Sequence, residues 1–379
     1  MMIENILIIV SLVLLSHYVI FLSKIYFGLS KLTNKVNEKI PEEFVSIIVP
    51  FRNEEKNIIN TYTNLTSQNY PQEKFEIILV NDSSDDNSLQ LLENLPKKEN
   101  VFIYSVPKDY SANAHKKRAI RFGIEKSKGE IIVTTDADCN HKKDWLKNLL
   151  KFMDKETGLI SGPVEFISNE KLFSRMQRLE FAGLVITGAG LIGSGNPIIC
   201  NAANIAYRKK VFDEVGGFTY QMNLSSGDDE LLMQKIHRDS GYQIKFALDK
   251  NAIVSTEANP TLNDFYHQRK RWASKGLFYG DHLLLLKLVL IFLFYLSLIV
   301  QPILGFVLST KFFITFLISL ILKISSEYLV LKKGTDLLFE TKILNPFFIT
   351  EILQVPYILV SGFMGMFGNL VWKDRKIKR

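Results

Sequence analysis

Cysteine is almost missing from this sequence. There are two, Cys139 and Cys200, in 379 residues, and they form no C-x-x-C pair. That speaks against a disulfide framework and against a cysteine-type zinc site, and it suits a reduced, cytosolic setting for the central region. No block of one charge stands out either. The net charge is +7, but it is not gathered into a patch of the kind that binds nucleic acid, so no nucleic-acid partner is expected. Much of the excess instead flanks apolar segments: Lys24, Lys31 and Lys35; Arg269, Lys270, Arg271 and Lys275; Lys373, Arg375, Lys376, Lys378 and Arg379. That placement suits membrane lipids with anionic headgroups on the cytoplasmic side. Long apolar runs are absent from residues 40–280 and present in 1–27 and 283–372. The first of them, Ile6–Ser23, is followed by no A-x-A-like cleavage site and is preceded by Glu4 where a signal peptide carries positive charge. It is expected to be an uncleaved transmembrane helix with its C-terminal end in the cytoplasm.

The pattern divides the chain into an N-terminal transmembrane helix (1–27), a polar linker (28–43), a cytoplasmic domain (44–260), an interfacial amphipathic helix (261–280), a C-terminal transmembrane region (281–372) and a basic tail (373–379). Within the central domain, Val45–Pro50, Phe75–Asn81, Val101–Val106 and Ile131–Thr135 read as buried strands, separated by helical stretches. Strands alternating with helices at this spacing imply an α/β fold with a mostly parallel, doubly wound sheet. The rhythm then changes. Leu159–Phe166 reads as a strand, Leu172–Val185 as a helix and Gly188–Gly195 as a glycine-rich loop near the acceptor. Farther on, Leu288–Leu308, Phe312–Leu331 and Ile352–Val371 are each long enough to span a bilayer. Three such spans put the basic tail outside, against the positive-inside rule, so a segment near Pro346 or Pro356 is expected to be re-entrant or interfacial.

The chemistry gathers at strand ends. Asp82 closes the second strand, and Asp136 and Asp138 close the fourth. In open α/β sheets, ligands bind in the crevice beyond such carboxyl ends. Two carboxylates there can share a divalent cation, and that cation can hold a diphosphate. Asp228 and Asp229 open a later helix, where one can act as a base. Gly188–Gly193 matches G-x-G-x-x-G but follows a helical pattern, which fails the context of a dinucleotide fingerprint.

The segments VSIIVPFRNEEKNI, EIILVNDSSDD, KKRAIRFGI, VTTDADC, NAANIAYRKKVFDEVGGF, GDDELL and QRKRW occur in an order that resembles family 2 glycosyltransferases. The likeness covers about residues 44–276 and is strongest to the membrane-embedded branch with cellulose, chitin, hyaluronan and poly-N-acetylglucosamine synthases and ceramide glucosyltransferases. It implies a GT-A type, Rossmann-like nucleotide-sugar domain. On that basis Asp82 contacts the nucleobase, with the turn Pro50–Glu54, including Arg52, walling the nucleotide pocket. Lys116, or its neighbour Lys117, approaches the donor phosphates. Asp136 and Asp138 hold the donor with Mg²⁺ or Mn²⁺. Asp229 is the implied base, and Asp228 orients it or meets the acceptor. Gln268, Arg271 and Trp272 match Q-x-x-R-W, with Arg271 on the diphosphate and Gln268 and Trp272 toward the acceptor. The expected activity is inverting transfer from a nucleoside diphosphate sugar, UDP-linked by resemblance, to a growing β-linked polysaccharide at the inner membrane. Transfer of one sugar to a membrane lipid is the nearest alternative, and a non-catalytic scaffold with the same fold is the alternative of another class.

Overall fold

The computed structural model describes residues 2–32, 41–110, 115–219, 227–273, 279, 281–366, 370–372 and 375–377. Helix α1, Met2–Lys31, comes first. The strands β1 (Val45–Phe51), β2 (Phe75–Asn81), β3 (Val101–Ser105) and β4 (Ile131–Thr134) then alternate with helices α2 (Ile58–Thr66), α3 (Ser88–Glu93) and α4 (His115–Lys126). A short strand β5 (Asn140–His141), helix α5 (Trp145–Leu150) and strands β6 (Thr157–Ser161) and β7 (Val164–Ile167) lead into the long helix α6, Leu172–Gly193. Strand β8 (Ile205–Arg208), helices α7 (Lys209–Glu214) and α8 (Glu230–Asp239), and strands β9 (Gln243–Phe246) and β10 (Val254–Glu257) complete the domain. Helices α9 (Leu262–Ala273), α10 (His282–Val307), α11 (Lys311–Leu338) and α12 (Phe347–Met366) follow, then a hairpin of β11 (Leu370–Trp372) and β12 (Arg375–Ile377).

The main sheet has seven strands in the order β3-β2-β1-β4-β8-β6-β9. The four strands expected from the sequence pair in parallel. Strand β8 runs antiparallel to both β4 and β6, so the sheet is mixed. The predicted strand Leu159–Phe166 is split: β6 joins the main sheet and β7 a small sheet with β5 and β10. Every residue of β2 is buried, as is most of β1, because helices cover both faces. Alternate side chains serve different cores. Ile47, Val49, Ile77 and Leu79 pack on one face. Ile48, Ile78, Val80 and Ile132 pack on the other, in a cluster that runs without a break through α6 into Leu14, Leu22, Phe294 and Val330 of the apolar helices.

Four helices, α1, α10, α11 and α12, are long and apolar enough to cross a membrane. The stretch expected to be a glycine-rich loop is instead the last turns of α6. Its glycines are there for contact. A Cβ on Gly190 would lie 2.6 Å from the carbonyl oxygen of Ile25, and one on Gly193 would lie 2.2 Å from that of Gly28. Small residues on both helices let α6 and α1 touch backbone to backbone, as they do in membrane-helix pairs. The surface a dinucleotide would need is filled by α1.

Lys323 and Glu327 lie inside the helix bundle. The Lys323 ammonium is fully buried and meets Glu327 at 3.0 Å, Gln354 Oε1 at 2.7 Å, and Glu351. Tyr18 and Tyr295 donate to Glu327 at 2.5 and 3.1 Å. One polar knot thus draws on α1, α10, α11 and α12. The chain after α11 stays close to the sheet domain, where Lys250 Nζ donates to the carbonyl of Phe339 at 3.4 Å. Helix α12 then packs along α9, and strand β11 lies against α9 as well.

Candidate active site

The carboxyl ends of β1, β2 and β4 open onto one cavity of about 520 Å³, lined by Pro50, Arg52, Glu54, Asp82, Lys116, Asp136, Asp138, Asp228, Asp229, Gln268, Arg271 and Trp272. All twelve residues singled out from the sequence share its wall.

The end of the cavity at β1 and β2 is built by two interlocked turns. Asn53 and Ser83 both take positive φ, at 52° and 59°, a strained backbone that over-determined hydrogen bonding sustains. Asn53 N donates to Ser84 Oγ at 3.2 Å, and Asp85 N donates to Asn53 Oδ1 at 3.0 Å. Arg52 donates to the carbonyls of Asp82, at 3.2 Å, and of Ser83. The Asp82 carboxylate receives Arg118, a partner the sequence reading missed. Of the two candidate lysines, Lys116 lines the cavity, whereas Lys117 is fully buried and is not part of its wall.

At the centre, Lys116 Nζ lies 2.6 Å from Asp136 and 3.6 Å from Asp228. Burial alone would lower the lysine pKa, but Asp136 and then Asp228 outweigh it and hold the ammonium above its ordinary value. Asp138 is exposed toward the cleft. Arg271 is pushed below its ordinary value by burial, opposed by the attraction of Asp228, Asp136, Asp229 and Asp138. One guanidinium therefore feels all four carboxylates. Asp229 caps α8: Glu230 N donates to its Oδ1 at 2.7 Å, and Ala202 N donates to its Oδ2 at 3.0 Å. These bonds fix its orientation. Asp228 faces Lys116, at 3.6 Å.

Residues 46–216 match the family described as glycosyl transferase family 2. The chain carries a family 2 glycosyltransferase domain. Over 208 residues it is 28% identical to glycosyltransferase AglE of Haloferax volcanii, covering 54% of this chain and 65% of that protein. Over 267 residues it is 27% identical to a poly-beta-1,6-N-acetyl-D-glucosamine synthase of Staphylococcus aureus, covering 69% of this chain and 61% of that one. The alignments thus span just under two thirds of these curated relatives. A mannosyltransferase from Pyrobaculum calidifontis, solved with GDP-Man and Mn²⁺, superposes with a TM-score of 0.58 over 95% of this chain and 99% of its own, at 17% identity. At that identity the likeness speaks to the fold, which is GT-A with membrane-type helices attached.

For the glycosyltransferase, the two-carboxylate set suits a hard divalent cation that takes its remaining oxygens from a diphosphate and water. Among the described residues, no cluster of three or more His, Cys, Asp or Glu side chains forms a cage that would complete the shell from protein alone. Several other functional-site residues gave little signal in the sequence. Tyr279 reaches the cavity wall and donates to Glu230 Oε2 at 3.0 Å; burial, and then Glu230, push its pKa well above the ordinary tyrosine value. Cys139, next to Asp138, is buried, and burial pushes its thiol up, so it stays protonated.

His141 supports the Asp136–Asp138 loop from beneath. Its Nε2 pairs with Thr135 Oγ1 at 2.7 Å, and burial pushes its pKa down to about 3 from an ordinary value of 6.5. The unfolded chain gains this proton as pH falls through 6.5, and the folded chain resists it until about 3. Stability contributed by neutral His141 is therefore complete above pH 6.5 and declines below it, at up to about 1.4 kcal/mol per pH unit. Thermal unfolding between pH 7 and 4 should show this slope, and His141→Gln should flatten it.

Proposed function

We propose that this glycosyltransferase moves one sugar from a nucleoside diphosphate sugar to an acceptor hydroxyl presented from the membrane, with inversion at the anomeric carbon. The observation that carries the reading is that one cavity wall holds Asp82, Lys116, Asp136, Asp138, Asp229 and Arg271 together. Asp82 and the Pro50–Glu54 turn receive the nucleoside. Asp136 and Asp138 would hold Mg²⁺ or Mn²⁺, which supplies charge neutralisation to the diphosphate when bound. Lys116 and Arg271 add positive charge where the leaving group gathers negative charge. Asp229, with both oxygens anchored by backbone N–H groups, takes the proton of the attacking hydroxyl. With a base on the acceptor side no covalent intermediate is needed, and a single displacement inverts the anomeric centre.

The rest of the wall favours a lipid acceptor. Phe166, Phe181, Leu184, Val185, Gly188 and Ile199 line it, and the α6 members sit on the helix that packs against α1. An apolar wall carried by the helix that packs against α1 suits an acyl or prenyl chain carrying the hydroxyl. The polymer reading keeps the support of Gln268–Trp272 and of the polysaccharide synthase among the relatives. With α1, α10 and α11 as spans and α12 returning, the basic tail lies with the catalytic domain in the cytoplasm, as the positive-inside rule prefers. Membranes containing the protein, given labelled UDP- and GDP-sugars with Mn²⁺, should yield one organic-extractable product. A ladder of long water-soluble chains would establish the polymer reading instead, and no transfer from any donor would favour the scaffold.

A further inference from the structure

Arg269 lies within the Gln268–Trp272 segment at a position Q-x-x-R-W leaves unspecified, yet it is the most enclosed side chain of α9, at 3% exposure. Its guanidinium forms a two-pronged pair with Glu180 of α6, Nε to Oε1 at 2.9 Å and Nη2 to Oε2. Its centre stacks 4.5 Å from the Phe265 ring and 4.3 Å from the Trp272 ring. Glu180 Oε1 also receives the Tyr357 hydroxyl of α12 at 3.1 Å. Gln268 closes the other side. Its Oε1 accepts from Arg269 Nη1 and, at 3.0 Å, from Asn259 Nδ2, and Asn259 exchanges three hydrogen bonds with Gln177 of α6. The Gln268 oxygen expected at the acceptor is thus engaged inside the protein.

A helix turns about 100° per residue, so residues two apart point to nearly opposite sides. Fastening Arg269 against α6 and α12 therefore turns Arg271 toward the four carboxylates. The same stacking fixes the plane of Trp272 at the cavity wall. Planar, bidentate pairing between arginine and a carboxylate is directional in a way that a lysine ammonium is not.

We propose that Arg269 is a positioning residue. With Glu180 and Tyr357 it forms a clasp that sets the rotation of α9, and with it the pose of Arg271 at the leaving group and of Trp272 at the acceptor. The clasp rests on the transfer reading for its effect on rate, but not for its effect on Trp272. Because Tyr357 belongs to α12, seating of that helix in the bilayer and assembly of the acceptor side are one event.

The test uses the full chain in lipid nanodiscs with 5-fluorotryptophan at its three tryptophans. Arg269→Lys keeps the charge and loses the fork. It should lower kcat about 10-fold while leaving the donor KM, UDP affinity by calorimetry and the thermal midpoint near wild type. Glu180→Gln should match it, and the double variant should be no worse than either single one. In the fluorine spectrum the Trp272 resonance, assigned with Trp272→Phe, should move and broaden in Arg269→Lys, with the Trp145 resonance unchanged. Normal kcat with an unmoved Trp272 resonance overturns the clasp, and so does a loss of kcat in step with UDP affinity and folded protein. If the wild-type protein transfers no sugar, the transfer reading fails, and the Trp272 resonance alone then decides the positioning.

Discussion

Replacing Asp229 by Asn should lower sugar transfer by about 10³-fold and leave nucleotide binding close to wild type. The amide keeps an acceptor oxygen for one of the two backbone donors, Glu230 N or Ala202 N, so the start of α8 holds its place. What is lost is the group that takes the acceptor proton. Asp228→Asn is the informative companion. Asp228 faces Lys116 and Arg271, so its loss should raise the donor KM more than it lowers kcat. Single-turnover kinetics with the best donor, beside UDP titration by calorimetry, separate the two. If Asp228→Asn abolishes transfer while Asp229→Asn retains it, the base has been assigned to the wrong carboxylate.

Arg271→Ala should cost about 10²–10³ in kcat, the range seen when a donor aimed at developing charge is removed. The guanidinium sits in the field of Asp136, Asp138, Asp228 and Asp229, which hold it where the leaving group gathers charge. Removing it leaves Lys116 as the cation paired directly with that group. The loss should be smaller for a donor analogue with a better leaving group, and that comparison is the measurement to make. Equal losses for both donors would place Arg271 in ground-state binding.

The parallel half of the sheet and the carboxylates at its strand ends were legible in the sequence, for one physical reason. Buried parallel strands read as unbroken β-branched runs, and Asp82, Asp136 and Asp138 stand directly at their ends. What misled was glycine. Gly190 and Gly193 look like loop punctuation when read locally, but the close approach of α1, more than 150 residues earlier, is what requires them, and Gly188 is required by the carbonyl of Ile199. The antiparallel β8 was hidden for a similar reason: strand direction depends on the route of the chain, which side-chain alternation does not record. Arg269 was passed over as one more cation on a basic, aromatic helix. Its partner Glu180 lies 89 residues away, Tyr357 lies 177 residues from Glu180, and only the fold brings the three together.

The core that runs unbroken from one sheet face into the apolar helices has a consequence for substrate choice. A catalytic domain on a flexible tether could dip and rise to meet acceptors of different lengths. Here the domain that carries Asp229 is held at one height relative to the apolar helices, by packing from Ile48 and Ile132 through α6 to Leu22 and Phe294. Under the proposed transfer, the protein is expected to work as a depth gauge, taking the hydroxyl that emerges at that height and passing over the same sugar or lipid headgroup on a longer or shorter stem.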